Sequence, residues 1–99
     1  MTKHIILWQL HAPDGIPMEK IKEDIRAGLE GLAGKIPGLL EIRVYTEGLP
    51  SSNADVMLYS VFENEDALKG YAVHPAHVAV ADTKVRPYTK TRLCLDFND

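Results

Sequence analysis

Two short segments of this chain are apolar on both of their alternating faces, and this limits the available folds more than any other feature. Between Lys3 and His11, the set His4, Ile6, Trp8 and Leu10 opposes Ile5 and Leu7. Between Asp55 and Glu63, Val56, Leu58 and Phe62 oppose Met57, Tyr59 and Val61. Side chains on a strand point alternately to the two sides of the sheet, so a strand apolar on both sides needs a cover on each. Helices can cover one side. The other side would remain a patch of a size that soluble monomers rarely expose, and a second copy of the chain, packed sheet to sheet, is the simplest cover. A homodimer is therefore expected.

The elements between and after these strands follow from periodicity. Pro17 suits the first turn of a helix, and Ile21, Ile25, Leu29, Leu32 and Ile36 recur at steps of three and four. That spacing lays one apolar stripe along a helix of roughly five turns, which Pro37-Gly38 ends. From Leu39 to Glu47, Leu40, Ile42 and Val44 alternate with Glu41, Arg43 and Tyr45, the pattern of a half-exposed strand. The Gly, Pro, Ser and Asn content from Gly48 to Ala54 marks a loop. Asn64 is placed to cap a helix running to about Val73, with Glu65 and Asp66 complementing its dipole. Pro75 cannot sit inside that helix. It opens another, with His74 at the cap and Val78, Ala81 and Val85 facing inward as far as Pro87. A last strand, about Arg92 to Phe97, sets Leu93, Leu95 and Phe97 against Arg92, Cys94 and Asp96. The order is βαββαβ, the split βαβ arrangement of a ferredoxin-like α+β fold with helices on one face of an antiparallel sheet.

Composition narrows the class of partner. A chain of 99 residues with 45% hydrophobic content is read as one domain spanning residues 1–99. The net charge of −3 and the scattered distribution of its 11 Lys and Arg argue against nucleic acid as a partner. The apolar run from Ile5 to Trp8 is too short for a membrane span or a signal-peptide core, so no membrane association is expected. Cys94 is the only cysteine, which excludes an intrachain disulfide and a cysteine-based zinc site and fits a reducing, cytoplasmic setting.

Chemistry concentrates at Tyr71-Ala72-Val73-His74-Pro75-Ala76-His77-Val78, where a tyrosine and two of the 4 histidines gather around a proline. An imidazole exchanges a proton near neutral pH, a phenol donates or accepts a hydrogen bond, and a proline-fixed junction holds both. Tyr71 and His77 are the candidate catalytic residues. The structural alternative is that His77 is a histidine satisfied by a hydrogen bond at the helix junction, and that Tyr71 packs its ring on the sheet with its hydroxyl at the rim. His74 reads as a cap. His4 and Trp8 share one face of the first strand and are candidate substrate-binding residues, core or interface packing being the alternative for Trp8. The His74/His77 spacing falls short of the three or four ligands that a stable metal site needs, and no phosphate-binding glycine loop or nucleophile elbow is present. No metal site and no cofactor is expected.

The opening Lys3-His4-Ile5-Ile6-Leu7-Trp8, the helix exit Lys35-Ile36-Pro37-Gly38, the motif Tyr71-x-x-His74-Pro75-x-His77-Val78 and the terminal Leu93-x-Leu95-Asp96-Phe97 together resemble the stress-responsive dimeric α/β-barrel (Dabb) family. The resemblance implies a ferredoxin-like protomer whose sheet faces that of a second protomer, with a cleft between each sheet and its helices. The family includes plant stress proteins without an assigned reaction and a plant cyclase that closes a linear polyketide by cofactor-free aldol condensation. The working pair of that cyclase is similar to Tyr71 and His77, and His4 matches a histidine in its pocket. Two functions follow as expectations: a cleft that binds a small apolar carbonyl compound, with cofactor-free acid–base chemistry of a cyclase or lyase kind, or a non-catalytic stress-response or assembly protein.

Overall fold

The computed structural model describes residues 1–99 as strands β1 (Thr2–Leu10), β2 (Leu39–Tyr45), β3 (Val56–Phe62) and β4 (Thr89–Asn98) with helices α1 (Met18–Glu30), α2 (Glu65–Val73) and α3 (Pro75–Val80). The strands form one antiparallel sheet in the order β2-β3-β1-β4, which is the ferredoxin-like arrangement. The two segments that are apolar on both faces, β1 and β3, are its central strands. His4, Ile6, Trp8 and Leu10 turn toward the helices and are buried, whereas the opposite side of β1 is partly or fully exposed.

Helix α1 shows how an apolar stripe can outlast regular helical geometry. The stripe predicts about five turns, but the α-helix stops at Glu30, after 13 residues. Beyond it the bonds tighten to Leu32 N–H on the Leu29 carbonyl (3.1 Å) and Lys35 N–H on the Leu32 carbonyl (3.0 Å), a 3₁₀-like winding. Leu32 and Ile36 nevertheless stay buried in the core cluster. Gly28 sits where α1 crosses the α3 region, and a Cβ there would lie 2.8 Å from Val80 Cγ1. The close crossing depends on that missing carbon.

Three further departures from the periodicity have local causes. In β2, Leu39 pairs with Phe62 and Glu41 with Val61, so Leu40 is the extra residue of a bulge and is 48% exposed instead of joining Ile42 and Val44 inside. The last strand begins at Thr89, earlier than its apolar alternation indicates, because Thr89 to Trp8-facing Arg92 already pair along β1. After α3 the chain passes through a π-type turn (Ala81–Val85) and a 3₁₀ turn (Arg86–Tyr88), and Ala81 and Val85 remain buried. The junction between α2 and α3 follows the proline chemistry. Asn64 Oδ1 accepts from Ala67 N–H (2.9 Å) to start α2, and His74 Nδ1 accepts from Ala76 N–H (3.1 Å) to start α3, with Pro75 in its first turn.

The core lies between sheet and helices and is densest under α1, where Ile21, Ile25, Leu29, Leu58 and Phe62 are 0–2% exposed. Burying each such side chain contributes about 1.5–3 kcal/mol. The other face of the sheet is uncovered in the protomer, with Leu93 and Leu95 each 64% exposed beside Leu7 and Phe97. No helix is long and apolar enough to cross a membrane.

Candidate functional site

A cavity of about 660 Å³ opens between the β1–β4 half of the sheet and the α2–α3 segment. It exists because the helices do not extend over β4, whose residues from Lys90 onward are all exposed. Its apolar wall includes Ile6, Trp8, Leu58 and Leu68, and its polar groups come from β1, β4, α2 and α3.

Tyr71, on α2, projects inward and is only 2% exposed. Its ring packs against Phe62 with centroids 5.1 Å apart, and against the imidazole of His77 at 4.1 Å. Its hydroxyl does not reach the rim. It is buried and has no hydrogen-bond partner within the protein. Burial disfavours the phenolate and pushes the phenol well above its ordinary range, so this group is an O–H donor at any physiological pH.

His77 stands in the first turn of α3 because Pro75 starts that helix, and it lines the same cavity. Its Nδ1–H donates to the Ala72 carbonyl across the α2–α3 junction (3.3 Å). A carbonyl can only accept, so Nδ1 carries the proton and Nε2 keeps its lone pair. Burial lowers the pKa of His77 from its ordinary value, the bond to Ala72 opposing. The ring is thus held neutral near pH 7.

His4 and Trp8 both line the cavity from β1 and are 7% and 4% exposed. Trp8 also belongs to the core cluster, so its packing role and its place in the cavity wall coincide. His74 is used as the α3 cap and is not among the cavity residues.

The cavity also contains polar residues that the sequence sets on one strand face without marking them as site residues. Asp96 pairs with His4 in the β1–β4 register, and its Oδ1 accepts a hydrogen bond from His4 Nδ1. Cys94, two residues before it on the same face, places Sγ 3.4 Å from Asp96 Oδ1 and 3.7 Å from His4 Nδ1. Burial, and then the adjacent Asp96 carboxylate, pushes the Cys94 thiol up. Arg92 and the Arg86 that pairs with Asp82 add positive charge to the lining. The alternation of Arg92, Cys94 and Asp96 is visible in the sequence, but the register that sets Asp96 against His4 is not. A count of cysteines speaks only to sites built from several thiols, whereas the fold gathers a mixed set of donors here.

The architecture is that of a ferredoxin-like α/β-barrel protomer. Residues 2–99 match the Stress responsive A/B Barrel Domain (Dabb) family, and the chain belongs to it. The chain is similar to a dimeric protein of unknown function and ferredoxin-like fold from Bacteroides fragilis, with 32% identity over 99% of this chain and 95% of that one and a TM-score of 0.86. Its fold is also that of a hydroxynitrile lyase from Passiflora edulis, at 16% identity, 97% and 90% coverage and a TM-score of 0.77. A cofactor-independent oxygenase from Streptomyces nogalater shares it too, at 15% identity, 99% and 91% coverage and a TM-score of 0.76. A comparison with curated proteins returns no match.

Proposed function

We propose that this protein is a cytoplasmic homodimer whose cavity binds a small, mainly apolar carbonyl compound and catalyses a cofactor-free acid–base step on it. His77 Nε2 removes a proton from the carbon next to the carbonyl, and the Tyr71 hydroxyl donates to the oxygen on which the enolate charge develops. The observation that carries this reading is the buried, unpartnered Tyr71 hydroxyl beside a neutral imidazole in one cavity. An unsatisfied buried donor costs stability, and a ligand oxygen would repay it. The cavity volume falls within the roughly 300–1,000 Å³ of small-molecule sites. The cofactor-independent oxygenase among the fold neighbours supports the view that this architecture accommodates chemistry without a cofactor.

The test is exchange of the acidic C–H of alkyl-substituted β-diketones into heavy water, followed by proton NMR. Wild type should accelerate exchange for a diketone that fits the cavity, and His77→Ala should lose about 10²–10⁴ of that rate while its melting temperature stays within a few degrees. If His77→Ala instead lowers stability by about 1–3 kcal/mol and no diketone exchanges faster than in buffer, the cluster is structural and the protein belongs with the non-catalytic stress or assembly proteins.

The dimer is supported by the apolar open face, built from Leu7, Met57, Tyr59, Leu93, Leu95 and Phe97, and by the dimeric Bacteroides fragilis neighbour. Light scattering at micromolar concentration should give twice the 11.0 kDa chain mass. A folded monomer at that concentration would remove the assembly from the proposal.

A further inference from the structure

We propose that His4, Cys94 and Asp96 form a binding site for one divalent transition-metal ion of the zinc type at the β1–β4 edge of the cavity. One nitrogen, one sulfur and one oxygen donor lie within 4.8 Å of one another. An imidazole, a thiolate and a carboxylate form a ligand set that suits zinc and cobalt, and three protein ligands leave one position open. Because all three residues line the cavity, that position borders on it.

The distances can be compared with what an ion requires. Metal–ligand bonds of about 2.0–2.3 Å at tetrahedral angles place donor atoms roughly 3.3–3.6 Å apart. The Sγ to Oδ1 separation of 3.4 Å and the Sγ to Nδ1 separation of 3.7 Å are already close to those edges. The third edge, His4 Nδ1 to Asp96 Oδ1, is a direct hydrogen bond and is shorter. It opens when the ion replaces the proton between the two groups, and the Asp96 side chain, 46% exposed, has room to move. The thiol proton leaves as well, since the thiolate is the ligand.

The frame that holds these donors is rigid. His4 and Asp96 are register partners and Cys94 pairs with Ile6, so the β1–β4 ladder sets the backbone spacing of all three. The His4 side chain is 8% exposed, and its ring meets the edges of Phe62 at 6.4 Å and Tyr71 at 6.0 Å. The same cavity holds the buried Tyr71 hydroxyl, which the protein leaves without a partner, and the Tyr71 ring lies 6.0 Å from that of His4. The proposal is independent of the acid–base role of His77, which is not a ligand in it.

Titration of the reduced, metal-free protein with Co²⁺, read by absorption, tests it. Saturation at one ion per chain is expected, with a thiolate-to-cobalt charge-transfer band and the visible bands of four-coordinate cobalt, and Zn²⁺ should displace the cobalt. Cys94→Ser should abolish the charge-transfer band, and Asp96→Asn should weaken binding by about 10-fold or more. Both side chains belong to exposed residues on an edge strand, so these variants carry the test if His4→Gln does not fold. His77→Gln should keep both the band and the affinity. Absence of saturable binding, or binding that survives Cys94→Ser and Asp96→Asn but is lost in His77→Gln, would overturn the site.

Discussion

The helix-facing side of the sheet is built in two unlike halves. Beneath α1 the space is filled by Ile21, Ile25, Leu32 and Val44, and little of their surface is accessible. Toward β4 the same side carries His4, Arg92, Cys94, Asp96 and Asn98, the helices stop short, and about 660 Å³ is left open. Apolar side chains need only contact, so they close space at crystal-like density. Polar groups need partners of matching geometry, and a half of the sheet made from them stays open to whatever supplies those partners. Close packing is concentrated in one half and unfilled polar lining in the other.

The largest effect that could break this contrast is a cavity cut into the packed half. Ile25→Ala should cost about 2–5 kcal/mol, seen as a lower denaturant midpoint at an unchanged slope. A loss below about 1 kcal/mol would mean that this half has slack of its own.

Tyr71→Phe, in the open half, should show the opposite behaviour. The hydroxyl has no protein partner, so removing it leaves stability unchanged or raises it by up to about 1 kcal/mol while diketone exchange slows. A destabilisation larger than that would reveal a partner and place Tyr71 with the packed half.

The smallest effect concerns pH. The pKa of His77 in the folded protein is depressed below its ordinary 6.5, so below that value the unfolded chain binds a proton that the folded one resists. Stability contributed by the neutral ring is therefore present above about pH 6.5 and is lost as pH falls toward the folded value. Partial exposure of the ring keeps the effect modest. Denaturant midpoints of wild type and His77→Gln, compared between about pH 5 and 8, should diverge toward acid, with wild type losing more. Parallel curves would show that burial does not shift this histidine.

Much of the fold is legible because it rests on local rules. The stripe Ile21, Ile25, Leu29, the Asn64 cap and the break at Pro75 each depend on residues a few positions apart. The exceptions arise where tertiary packing overrides a period. Leu40 leaves the inner face because β2 bulges against β3, and the α1 stripe continues to Ile36 after the α-helix has ended, since burial constrains where a side chain goes and not how the backbone winds. The candidate site was only half visible. Tyr71 and His77 stand six positions apart on a proline-marked junction, whereas His4 and Asp96 are 92 residues apart and meet only through strand pairing.

The sequence by itself determined the order of the elements, the two strands that are apolar on both faces and the apolar face left for a second copy, because side-chain period and proline or asparagine chemistry act within a turn or a strand. Only the tertiary structure decided that Tyr71's hydroxyl lies buried and unpartnered, that His77 presents Nε2 and not Nδ1 as its free nitrogen, and that Cys94 and Asp96 converge on His4. Those outcomes depend on β1–β4 register and on how far the helices reach across the sheet, quantities set by the packing of the whole chain and carried by no local pattern.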